Sequence, residues 1–151
     1  MRLAAPDDAA LIWDMQKTAF HALYQKYHDD DTNPGNETLE KVLPRVTQGG
    51  RFFYLIEARG EPVGAICITD RKDSLPKRIS PMFILPAFQG RGYAQEAIRQ
   101  AETLHGEHHW SLDTILQEEK LCHLYEKMGY VKTGETRQIH EGMTLVYYQK
   151  P

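Results

Sequence analysis

PAFQGRGYAQEAI, Pro86 to Ile98, is where one sequence pattern ends and another begins. Before it, RISPMFIL (Arg78 to Leu85) reads as a strand that stops at Pro86. After it, Ala94, Ala97, Ile98, Ala101 and Leu104 recur at helical spacing. Between the two lie Gly90 and Gly92, with Arg91 separating them. A glycine turn that opens a helix leaves backbone N–H groups without partners, and the helix dipole favours an anion in front of them. The stretch therefore predicts a phosphate site, and which phosphate decides the fold. A Walker A loop needs Lys-Ser/Thr after its last glycine, whereas Gly92 is followed by Tyr93-Ala94. A dinucleotide fingerprint needs a third glycine where Gln95 stands, and the motif lies past mid-chain, with little room left for a doubly wound sheet. What fits is Gln-x-x-Gly-x-Ala: Gln89, Gly92 and the small Ala94 leave the amides unobstructed, and Arg91 adds charge at the rim.

Working outward, the N-terminal third predicts helices. Pro6-Asp7-Asp8 supplies start signals. Ile12, Met15, Ala19, Phe20, Leu23, Tyr24 and Tyr27 then recur at helical spacing, as one bent helix or two consecutive ones. The polar loop HDDDTNPGNE (His28 to Glu37) breaks the pattern. Leu39, Val42, Leu43 and Val46 give a further amphipathic helix that stops at Gly49-Gly50. RFFYLIEA (Arg51 to Ala58) and PVGAICIT (Pro62 to Thr69) flank Arg59-Gly60-Glu61 and predict a hairpin. Past the opening motif come a strand at Trp110 to Leu116, a helix marked by Leu121, Leu124, Tyr125 and Met128, and strands at Tyr130 to Thr133 and Met143 to Gln149. Helices, an antiparallel run and then alternating strands and helices predict an α/β layer fold with a mixed sheet.

Bulk properties narrow the function classes. A chain of 151 residues has the length of a single domain, 1–151, with one sizeable core. A net charge of −3 lacks the basic excess of a nucleic-acid binder. Cys67 and Cys122 show no CxxC spacing, and the seven histidines (His105, His108 and His109 near one loop, His123 beside Cys122) match no metal-site spacing, so no metal is expected. No apolar run reaches a membrane span and no signal-peptide core is read, so a cytoplasmic protein without membrane contact is expected.

A second motif joins the first. LCHLYEKMGY, Leu121 to Tyr130, follows Gln-x-x-Gly-x-Ala in the order and separation seen in the GNAT superfamily of acyl-CoA-dependent N-acetyltransferases, which the chain resembles over essentially its whole length. The resemblance implies a GNAT-like, mixed, mostly antiparallel twisted sheet flanked by helices in one domain. It implies acetyl-CoA as cofactor, with the pyrophosphate of coenzyme A on Gln89, Gly90, Arg91, Gly92, Tyr93, Ala94 and Gln95. It places the pantetheine arm along Met82, Phe83 and Ile84, where the family's fourth strand splays from the fifth at a bulge. Tyr125 matches the tyrosine that protonates the leaving thiolate, a task for which a phenol of ordinary pKa near ~10 is suited. Where many relatives carry a pantetheine-binding asparagine, seven residues before that tyrosine, this chain has Glu118, which accepts hydrogen bonds but, ionised, donates none.

The acceptor side is less defined. The run Asp29-Asp30-Asp31, with Tyr24 and Tyr27 nearby, reads either as an acidic, aromatic mouth for a small cationic amine or as a solvated loop. The resemblance implies a small-molecule or peptide amine as acceptor, a small cationic one on the first reading, and allows a homodimer. The stretch Arg78-Ile79-Ser80-Pro81 offers no carboxylate as general base. Asp113, Glu57, His140 and Glu141 remain, as does proton loss through water. Set against the enzyme is a non-catalytic acyl-CoA-binding module of the same fold.

Overall fold

The computed structural model describes residues 1–151. In chain order the elements are β1 (Arg2–Leu3), α1 (Ala9–Tyr27), α2 (Leu39–Thr47), β2 (Arg51–Ala58), β3 (Glu61–Thr69), β4 (Lys77–Ile84), α3 (Tyr93–His105), β5 (Trp110–Ile115), α4 (Glu119–Lys127), β6 (Val131–His140) and β7 (Met143–Lys150). Where the sequence left one helix or two, α1 is a single helix. It ends at His28, whose left-handed backbone turns its N–H back onto the Tyr24 carbonyl at 2.7 Å. The β2–β3 hairpin closes as expected through Arg59 and Gly60, both at positive φ, the turn whose twist matches paired strands.

The seven strands form one sheet in the order β1-β2-β3-β4-β5-β7-β6, antiparallel throughout except between β4 and β5. Its central strands are apolar on both faces because helices cover both. Phe53, Leu55, Ala65 and Cys67 pack with Ile12 and Met15 of α1 and Val42 of α2. Tyr54, Ile66 and Ile68 pack on the other face with Ala97, Ile98 and Ala101 of α3 and with Cys122 and Tyr125 of α4. His105, at the end of α3, lies in this structure between Asp70 (Nδ1 to Oδ2, 2.8 Å) and Tyr54 (Nε2 to Oη, 2.8 Å), tying α3 to the far end of the hairpin. No helix is long and apolar enough to cross a membrane.

Two irregularities open the sheet at its centre. Ile66 faces Met82 but Ile68 faces Ile79, so Ser80 and Pro81 together oppose Cys67. This is a bulge, and bulges bend the strand that carries the extra residue. On its other side β4 pairs with β5 only at Lys77–Trp110 and Arg78–Ser111. From Ile79 onward the two parallel strands part. β6 also extends to His140, well past the Thr133 expected from sequence.

Candidate active site

The parted seam exposes backbone as well as side chains. The Leu85 N–H donates to the Val63 carbonyl at 2.8 Å, so Leu85 and, two residues earlier, Phe83 turn their polar groups toward β3. Met82 and Ile84 then turn theirs toward the gap. The Ile84 carbonyl is capped by the Gln89 side-chain amide at 2.9 Å, which fixes the start of the glycine turn against the end of β4. Beyond Gln89, the backbone amides from Gly90 to Gln95 meet no acceptor in the chain; the first bond of α3 is Glu96 N–H to the Gly92 carbonyl, 3.1 Å. Gly90 and Gly92 sit at φ 77° and 85°, and a Cβ built on either would meet nothing within 4 Å. These amides have no partner in the chain and no side chain crowds Gly90 or Gly92, which fits a pyrophosphate. Arg91 lies over the Phe88 ring, 5.6 Å from its centroid.

A cleft of about 650 Å³ runs through the seam. Met82, Phe83, Ile84 and Gln89 line it from β4 and the turn, and Leu121 and Tyr125 from α4. Ala19, Phe20, Leu23, Asp29, Thr32 and Asn33 line it from α1 and the loop after it. β5, β6 and β7 contribute Asp113, Ile115, Arg137, Met143, Leu145 and Tyr147. Tyr125 is 7% exposed, its ring held by Tyr130 and Tyr148 at centroid distances of 6.1 and 6.3 Å. Its hydroxyl has no hydrogen-bond partner in the protein, while the hydroxyl of Tyr148 is bound to Glu126 at 2.5 Å. Burial first, and then the nearby charge of Asp113, push the Tyr125 phenol well above its ordinary pKa. It stays protonated across the physiological range and keeps a free O–H at the cleft.

The other expected site residues divide. Asp29 is buried and lines the cleft, receiving a 3.1 Å hydrogen bond from the Asn33 amide. Tyr24, Tyr27, Asp30 and Asp31 do not line it. The Tyr24 hydroxyl is spent on Asp30 at 2.6 Å, and the Tyr27 hydroxyl on Glu118 at 2.5 Å. The acidic mouth expected from three consecutive aspartates is thus reduced to one carboxylate, because the chain turns out of the cleft at Asp30 and Asp31 and returns to it at Thr32. Glu118 also lies outside the lining. Its Oε2 accepts from Lys26 Nζ (2.6 Å) and from Tyr27, fastening the start of α4 to the end of α1. Burial opposes its charge, but these two donors outweigh burial and hold its carboxyl below the ordinary range. Of the proton acceptors read from sequence, Asp113 alone reaches the cleft, and Arg78 holds it at 2.6 Å. Arg137, Leu145 and Tyr147 carry no local motif, and only the β5-β7-β6 strand order brings them to the seam.

Comparison with known proteins gives the family. The model of the acetyltransferase (GNAT) domain matches residues 15–151, and the chain belongs to that family, the GNAT acetyltransferases. No curated protein matches the chain by sequence. Among solved structures, spermidine N-acetyltransferase from Vibrio cholerae, in complex with CoA and spermine, superposes with a TM-score of 0.75 at 16% identity, covering 97% of this chain and 91% of that one. The PaiA N-acetyltransferase from Thermoplasma acidophilum, in complex with coenzyme A, gives 0.79 at 12% identity, covering 99% and 97%. RimL, a ribosomal L7/L12 α-N-protein acetyltransferase in complex with coenzyme A, gives 0.67 at 13%, covering 97% and 90%. These likenesses establish the fold, and the complexes are consistent with acetyl-CoA as cosubstrate.

Proposed function

We propose that this protein transfers the acetyl group of acetyl-CoA to a primary amine by direct attack, with Tyr125 as general acid. The observation that carries the reading is the seam between β4 and β5, with unpaired amides beyond Gln89 at one end and a free, protonated phenol at the other. In this reading the Gly90–Gln95 amides hold the pyrophosphate, with Gln89 bracing the turn and Arg91 at the rim. The backbone of Met82 and Ile84 pairs with the pantetheine amides, and Phe83 forms the wall behind them. The amine enters from the side of α1 and attacks the thioester carbonyl carbon; the carbon–sulfur bond breaks as the amide forms. The departing sulfur takes the proton of the Tyr125 hydroxyl, the proton lost by the amine passes to water, and water returns one to the Tyr125 phenolate; Asp113, paired with Arg78, lines the same cleft. Holding both reactants in one cleft makes a bimolecular aminolysis effectively unimolecular, which supplies much of the rate.

For the acceptor, Asp29 is the acidic group that supports a small amine carrying positive charge. A thiol-release assay with acetyl-CoA and a panel of amines tests the proposal. Amine-dependent release of coenzyme A is expected. Tight coenzyme A binding without release on any amine would favour a non-catalytic acyl-CoA-binding module.

A further inference from the structure

The charged side chains that line the cleft are Asp29, Arg78, Asp113 and Arg137. Arg78 and Asp113 neutralise one another at 2.6 Å. Asp29 is buried against the Asn33 amide. Arg137 is different: it meets no carboxylate and no hydrogen-bond acceptor of the chain, and strand register alone positions it. It stands opposite Leu145 of β7, which stands opposite Ile115 of β5. Direct partners across a sheet share a face. Arg137, Leu145 and Ile115 therefore form one row that starts at the parted seam and ends two strands away, about 10 Å on. The row is an apolar shelf with a guanidinium at its far end.

Resting on the acetyl-transfer reading above, we infer that the accepted amine also carries a carboxylate, as an amino acid with an apolar side chain does, and that Arg137 selects it. The planar fork of a guanidinium matches a carboxylate through two parallel hydrogen bonds. One free cation balances one negative charge; a phosphate dianion would find no second unpaired cation in the cleft. Leu145, partly exposed, offers the apolar body of the acceptor a surface to cover, backed by the buried Ile115. A polyamine, by contrast, would bring positive charge against Arg137. Arg137 acts on specificity, apart from the reacting atoms.

Matched acceptors test this: leucine against isoamylamine, phenylalanine against phenethylamine, and spermidine, each in thiol release with acetyl-CoA. Wild-type protein is expected to prefer the carboxylated member of each pair by about 10- to 100-fold in kcat/KM, the usual worth of a charge-assisted hydrogen bond. Arg137→Gln should collapse that ratio by raising KM for the amino acid, and Arg137→Lys should restore part of it. Equal or better use of the decarboxylated amines or spermidine, or an unchanged ratio in Arg137→Gln, overturns the inference. Calorimetry of N-acetylleucine against N-acetylisoamylamine on the coenzyme A-loaded protein reads the same preference without turnover. If no amine is acetylated, the transfer reading fails and calorimetry decides for Arg137. Tighter N-acetylleucine, lost in Arg137→Gln, upholds the assignment, and equal binding overturns it.

Discussion

Replacing Tyr125 with phenylalanine removes one oxygen atom and leaves the ring, with its contacts to Tyr130 and Tyr148, in place. Because the hydroxyl has no partner in the protein, its loss orphans no donor or acceptor. The cost in stability should stay below about 1 kcal/mol, or at most about 4 °C in Tm for a domain of this size. The cost in rate is set by proton transfer to the departing sulfur. A positioned general acid is worth about 10²- to 10⁴-fold. The phenol, already less acidic than an ordinary thiol, near ~8.5, is made less acidic still by burial, so donation to the thiolate runs uphill and the lower end applies. The expected loss is therefore about 100-fold in kcat, or about 2.7 kcal/mol of transition-state stabilisation. Coenzyme A affinity should be unchanged. Steady-state thiol release at saturating acetyl-CoA, calorimetric binding of coenzyme A and a melting curve separate these quantities. A kcat within twofold of wild type would refute the reasoning. So would a rate loss matched by an equal loss of coenzyme A affinity, because the residue would then be a binding wall and not an acid.

Other perturbations report on the parts around it. Gly92→Ala places a side chain at φ 85°, where left-handed backbone costs an L-residue about 1–2 kcal/mol; Tm should fall modestly and the KM for acetyl-CoA should rise as the turn relaxes. Glu118→Gln should lower Tm by about 2–4 °C through loss of about 1 kcal/mol in the α1–α4 fastening, while acetyl-CoA affinity holds. A fall in affinity with stability intact would instead assign Glu118 to the pantetheine arm. Since the folded-state pKa of Glu118 is depressed, its contribution is present above the unfolded value and is lost as pH falls through the folded one; the Tm difference between wild type and Glu118→Gln should vanish in acid. The buried phenols of Tyr125 and Tyr130 titrate above their unfolded value near ~10, so each contributes stability that declines by about 1.4 kcal/mol per pH unit above pH ~10. Alkaline melting of Tyr125→Phe should be correspondingly less steep than that of wild type.

The central unit was legible in the sequence because its signals are local. The strand ending at Leu85, the glycine turn and the helix from Tyr93 are written in consecutive residues, and so is the helix that carries Tyr125. The hairpin turn at Arg59-Gly60 is equally local. What was not legible depends on chain segments far apart. Glu118 meets Lys26 and Tyr27, 92 and 91 positions away, and no spacing rule anticipates that pairing. The aspartate run looked like one acidic surface, yet a loop can turn one residue inward and its neighbours outward. The full length of β6 has no such signal, because VKTGETRQIH is polar and exposed almost throughout, with little alternation to mark a strand. Arg137 and Tyr147 reach the cleft only because β7 inserts between β5 and β6.

The measurement that bears most directly on the account is the structure of the protein with coenzyme A bound. The pyrophosphate is expected on the Gly90–Gln95 amides and the pantetheine amides paired with the backbone of Met82 and Ile84. The sulfur should lie within hydrogen-bonding reach of the Tyr125 hydroxyl, roughly 3.5 Å. Coenzyme A seated away from the β4–β5 seam, or threaded through it with its sulfur out of reach of Tyr125, would contradict it.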